Sequence, residues 1–144
     1  MTPREFDAGV VQARLHLMSQ LLEDLGAVGD VVAEELLTDR MLRHAVERIL
    51  SQLVELAVSV NGHVGSTILL ESPHDYRSSF DLAAKAGLID GDLSRRLQPS
   101  VGLRNVLAHE YVEIDLDVVA AAVQGAQRDY GDYVRSASNW LADR

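Results

Sequence analysis

Residues 34–61 read EELLTDRMLRHAVERILSQLVELAVSVN. Within them Leu42, Val46, Ile49, Leu53, Leu56 and Val60 recur at alternating steps of four and three. That spacing stacks side chains on one face of a 3.6-residue helix. It predicts a helix from about Glu34 to Asn61, with Asn61-Gly62 as its stop. A face this long and apolar must be covered, so further helices are required from this chain or from a second copy.

Upstream, Val11, Leu15, Met18, Leu22 and Leu25 repeat the same alternation, and Gly26 and Gly29 punctuate its end. Downstream, 62–75 reads as the main irregular connection, with Ser72-Pro73 as a helix start. A short helix through Phe80, Ala83 and Ala84 follows, closed by Gly87. Asp90 caps a segment carrying Leu93 and Leu97, Pro99 interrupts it, and a helix resumes from Ser100 to Tyr111. Asp115 caps the last helix, whose inner face is Val119, Val123, Ala126, Tyr130, Tyr133, Ala137 and Trp140. The expected fold is all-α: one up-and-down bundle of four to five main helices, spanning residues 1–144 as a single domain.

Composition agrees. Apolar residues are 47% of the 144, but aromatics only 5%, so Leu, Val and Ala must fill the core. There is no cysteine, which excludes disulfides and thiolate metal sites and suits a reducing compartment. The first residues carry no apolar run suited to a signal peptide, and no stretch approaches a membrane span. The expected location is the cytoplasm. A formal charge of −9 argues against indiscriminate nucleic-acid binding, although a few cations converging on one cleft can still hold an anion.

Most catalytic patterns are missing. There is no glycine-rich phosphate loop, and Ser78 and Ser79 stand in no nucleophile motif. His109-Glu110 begins like a zinc-protease motif, but Glu113 stands where the second His is needed. His16, His44, His63 and His74 lack ligand spacing, so neither metal nor cofactor is expected. The exception is 102–111, GLRNVLAHEY, which sets Arg104, Asn105, His109 and Tyr111 beside the apolar anchors Leu103, Val106 and Leu107. On a continuous helix Arg104 and Tyr111 share one face and Asn105 and His109 the next. Arg-x4-His alone is a common chance spacing, and an exposed helix end would explain it.

The longer string resembles a family. Arg104-x4-His109-x-Tyr111 is similar to the R-x4-H-x-Y motif of HepT toxins, in the HEPN superfamily of helical ribonucleases. Pro73-x2-Tyr76, Phe80, 86–89 and the downstream Ile114-Asp115 also resemble that family's pattern. The resemblance implies a metal-independent endoribonuclease acting on RNA, whether tRNA or mRNA. In it Arg104 would grip phosphate, His109 would move protons and Asn105 would bind phosphate or orient His109. It implies a homodimer pairing two motif helices into one cleft. It also implies a minimal nucleotidyltransferase (MNT) antitoxin that attaches AMP to Tyr111; the purely structural reading of Tyr111 is packing at the helix end. Arg95 and Arg96 extend the cleft on one reading and form a solvated face on the other. Two other functions stay open: a non-catalytic module that binds a nucleotidyltransferase or nucleotide, and a purely structural helical dimer.

Overall fold

The computed structural model describes residues 4–109 and 113–144. The segment that opens the sequence reading is two helices, not one: α2 (Ala33–Thr38) and α3 (Arg40–Val64). Asp39 divides them. Its backbone is extended (φ −110°, ψ 93°) and its carboxylate accepts the Leu42 N–H at 3.0 Å. A short acceptor that serves the first free N–H groups favours a new start over continuation. Asn61-Gly62 does not stop α3 either. The Asn61 side chain is fully buried and hydrogen-bonded in the core, so it does not turn back on its own backbone. The helix passes through it to Val64 and widens into a π-helical turn, Gly65–Leu69, closed by Leu70 in the left-handed region (φ 57°). The expected irregular connection is therefore half helical.

Except for α6, the remaining elements start where an acidic cap serves the backbone. α1 (Ala8–Val28) follows Asp7, which accepts from Gly9 and Val10, and ends at Gly29 with φ 72°. α4 (Tyr76–Lys85) begins at Asp75 rather than Ser72-Pro73. Asp75 accepts the Ser78 N–H at 2.7 Å while Ser78 Oγ accepts the Asp75 N–H at 3.0 Å, a reciprocal box stronger than a proline alone. α5 (Gly91–Leu97) follows Asp90, α6 (Pro99–Leu107) takes Pro99 at its first turn, and α7 (Leu116–Ala142) follows Asp115. Among the described residues every element is helical. No described helix is long and apolar enough to cross a membrane.

α3 is the central member, packed on α1, α4, α6 and α7. Val46, Ile49, Leu53 and Val60 of its predicted stripe are buried, with Leu42 and Leu56 at the margin. Val11, Leu15, Met18 and Leu25 of α1 meet Val119, Val123, Tyr133 and Ala137 of α7 in the same core. Tyr133 donates its hydroxyl hydrogen to Asn61 Oδ1 at 2.7 Å, Asn61 Nδ2 donates to Ser79 Oγ at 3.2 Å, and Ser79 Oγ donates to the Tyr76 carbonyl at 2.6 Å. This buried chain ties α7 to α3 and α3 to the start of α4. Each partner left unpaired would cost about 1–3 kcal/mol. Ser100 Oγ donates to the Leu97 carbonyl and so accepts from the Tyr130 hydroxyl, both at 2.6 Å, which pins the head of α6 to α7.

Gly65, the first residue of the π-helical turn, lies hard against Leu82 of α4. A Cβ there would stand 2.2 Å from Leu82 Cδ2 and 3.2 Å from the Glu71 carbonyl oxygen. Gly65→Ala should therefore force α4 outward and lower stability by about 1–3 kcal/mol, read as a fall in the urea midpoint.

His63 supplies a pH dependence. Its Nε2 accepts the Asp7 N–H at 3.0 Å beside the Phe6 ring, and burial holds its pKa below 6.5. The folded state binds the proton less readily than the unfolded chain. The stabilisation is complete above about pH 6.5 and is lost as pH falls through the folded value. The urea midpoint should drop from pH 7.5 to 5.5, and drop less in His63→Gln.

Candidate active site

α6 is short because it is bounded at both ends, by Pro99 and by the turn at Ala108. Val101 faces the core and Leu103 and Leu107 pack against it, which leaves Asn105, Val106 and His109 exposed. The expected helix to Tyr111 ends instead at Leu107, and the His109 N–H reaches back to the Val106 carbonyl at 3.1 Å. His109 thus follows the last turn, close to Asn105 in the chain path but outside the helix. Tyr111 lies outside the described residues.

Arg104 faces the other way, towards the bundle. One of its terminal nitrogens is ion-paired with Glu55 Oε1 of α3. Its guanidinium carbon sits 5.2 Å from the centre of the Tyr76 ring. The Tyr76 hydroxyl in turn donates to Glu55 Oε2 at 2.8 Å. Three elements therefore close a ring of carboxylate, phenol and guanidinium, and the other terminal nitrogen of Arg104 lies 3.4 Å from Asn105 Oδ1. The carboxylate acceptor raises the Tyr76 pKa above its ordinary value, with desolvation adding to it and Arg104 opposing.

The ring of contacts was not legible from spacing. Glu55 sits among polar α3 residues with nothing local to mark it, and its partners come from two other helices. Tyr76 stood only in the family-like Pro73-x2-Tyr76 pattern.

Two grooves border Arg104. One, of about 310 Å³, is apolar, with Leu50, Leu97, Leu103, Val118 and Ala122 in its walls and Arg96 and Arg104 at its margin. The other runs along α3 past His44, Arg48, Ser51 and Glu55 to Arg104 and Ala108. Arg96 is bound to Asp92, Asp129 and Asp132, at 3.0, 2.5 and 3.2 Å, which raise its pKa further. That triple pairing ties α5 to α7 and occupies the guanidinium. Arg95 is largely exposed, with Asp92 at 3.7 Å.

The fold has solved counterparts. It matches the Shewanella oneidensis HEPN toxin, determined tri-AMPylated and in complex with MNT antitoxin, with a TM-score of 0.80 and 25% identity over 90% of this chain and 97% of that one. A toxin–antitoxin crystal structure with AMP-PNP matches with a TM-score of 0.81 and 26% identity over 91% of this chain and 98% of that one. The class is thus the all-α HEPN-type bundle. The family described as "Ribonuclease HepT-like" matches residues 18–137, and the chain belongs to that family. Among its relatives, the tRNA nuclease HepT of Aphanizomenon flos-aquae (strain 2012/KM1/D3) is 27% identical over 132 residues, 92% of this chain and 90% of that protein. The mRNA nuclease HepT of Shewanella oneidensis is 33% identical over 96 residues, 67% of this chain and 72% of that protein.

Glu55→Gln should move the Tyr76 phenol titration back towards the ordinary value, because the charge that holds the proton is gone. Tyrosine ring signals followed by NMR through alkaline pH would check it; an unmoved midpoint contradicts the ring of contacts.

Proposed function

We propose that this protein is a toxin that cuts RNA without a metal ion, using Arg104, Asn105 and His109 in a cleft completed by a second copy of the chain. The observation that carries this reading is the end of α6, where a guanidinium held by Glu55 and Tyr76 stands one turn before an exposed imidazole. Membership of a ribonuclease family and the names of two nuclease relatives support it. The substrate class is RNA, and the two relatives divide between tRNA and mRNA.

RNA brings its own nucleophile, the 2′-hydroxyl. His109 of one copy takes the 2′-hydroxyl proton as the 2′-oxygen bonds to phosphorus. The phosphorus–O5′ bond breaks, and a proton from the second His109 goes to the leaving O5′. The products are a 2′,3′-cyclic phosphate and a 5′-hydroxyl. Imidazole suits both transfers because it exchanges protons near neutrality. Arg104 neutralises charge on the non-bridging oxygens, to which its planar fork is matched. Asn105 hydrogen-bonds the phosphate or orients His109.

One Arg and one His per chain make a sparse set, and pairing across a two-fold axis doubles it. The apolar groove between α6 and the head of α7, with exposed Val118 at its rim, gives a second copy a surface to cover. In this reading an MNT antitoxin silences the toxin by attaching AMP to Tyr111, which adds bulk and negative charge two residues from His109. The AMPylated toxin–MNT complex among the structural relatives supports that partner.

Purified protein should cleave RNA in the presence of chelator. Arg104→Ala and His109→Ala should each remove the activity, the latter by roughly 10²–10⁴-fold for lost proton transfer, with both variants still folded by circular dichroism. Cleavage that survives His109→Ala refutes the acid–base role. Co-expression with the nucleotidyltransferase should add an AMP-sized mass that Tyr111→Phe abolishes. A tight complex with no cutting would instead favour the non-catalytic binding module.

A further inference from the structure

The strip of α6 turned away from the Glu55 side carries Gly102, Asn105 and Val106, with His109 just beyond the end of the helix. Gly102 has no side chain, and the space is taken from another element. Nη2 of Arg77, in the first turn of α4, lies 3.1 Å from where a Cβ on residue 102 would be. Arg77 is exposed, and its guanidinium therefore lies over the same strip of α6 that presents Asn105.

Its charge is also unmatched locally. Of the thirteen Lys and Arg, seven (Arg43, Lys85, Arg95, Arg96, Arg104, Arg128 and Arg135) stand within 4 Å of a carboxylate oxygen. Among the described residues Arg77 forms no such pair, nor do Arg4, Arg14, Arg40, Arg48 and Arg144, and it is the one of these that lies over Gly102 of α6. Asp75, the nearby acid that feels its field, has its carboxylate committed to the Ser78 N–H at the head of α4. In a chain of net charge −9, an exposed guanidinium left without a carboxylate over Gly102, one turn of α6 before Asn105, is available to an external anion. Its place is set by structure: Tyr76, the preceding residue, is held by Glu55 and by the buried Ser79–Asn61 chain.

We propose that Arg77 is a second phosphate-binding guanidinium of the cleft, reaching over Gly102 to the RNA backbone on the Asn105–His109 side while Arg104 serves from the other. This rests on the ribonuclease reading. It assigns Arg77 to holding the strand rather than to the chemical step, so its loss acts on KM and binding more than on kcat.

The probe is a mixed-sequence 2′-O-methyl oligoribonucleotide, whose blocked nucleophile keeps it intact during titration. Binding is measured against salt for the wild type, Arg77→Ala, Arg77→Lys, Gly102→Ala and, as a control at an exposed arginine already paired with Asp132, Arg135→Ala. For a single strand each lost phosphate contact should flatten the log–log salt slope by about 0.7, which is about fivefold in affinity at 0.1 M salt relative to 1 M. Arg77→Ala should show that change per copy, Arg77→Lys should restore most of the slope, and Arg135→Ala should match the wild type. Gly102→Ala, which pushes Nη2 aside at the flexible end of its side chain, should lie between. An Arg77→Ala protein that cuts RNA and keeps the wild-type slope overturns the proposal and leaves the ribonuclease reading standing. So does a variant whose slope is kept while sedimentation shows a weakened dimer, which would make Arg77 an interface residue. A wild type that neither binds the probe nor cuts RNA removes both readings together.

Discussion

A buried amide governs how this bundle is assembled. Asn61 has no exposed surface, so its oxygen and nitrogen must find partners inside the protein. They find Tyr133 on α7 and Ser79 on α4. Aliphatic contacts tolerate sliding, whereas these bonds hold only at one register. The register they select carries Tyr76 to Glu55, and that pair then receives Arg104 from α6. The site at the surface is in this sense an outgrowth of one polar contact in the core.

Charge is partitioned in a way that the net value hides. Arg96, Arg128 and Arg135 are paired with acids on α7, so they contribute cross-links and little outward field. Beside α6, Arg104 has one acidic neighbour, and Arg77, like Arg4, Arg14, Arg40, Arg48 and Arg144, has none within ion-pair distance among the described residues. A polyanion approaching an acidic molecule would be repelled over most of the surface and admitted where cations are not cancelled. The surplus of acid thus sharpens the contrast around the cations that stay unpaired.

Much of the fold was legible in the sequence because it depends on local rules. The inner faces of α1 and α7 follow the 3.6-residue spacing, and Asp90, Asp115, Pro99, Gly29 and Gly87 act where their own chemistry places them. The errors had physical causes. Asp39 starts a new helix inside a span read as one, and Asn61 ceased to be a stop once the core supplied its partners. The π-helical turn has no local residue signal; its Gly65 lies against Leu82, a residue distant in sequence. Arg104, Asn105 and His109 stand out as candidates by their grouping in one short string. Glu55, Tyr76 and Arg77 join them only through contacts distant in sequence, which no spacing displays.

The carboxylate–phenol–guanidinium ring also has an entropic consequence. A free arginine samples many rotamers, and immobilising such a side chain at an interface costs about 0.5–1.5 kcal/mol. Arg104 has already lost most of that freedom before any ligand arrives. The concession is electrostatic, since Glu55 shares the same cation with whatever anion comes next. The bundle trades part of the attraction for a guanidinium that need not search for its pose.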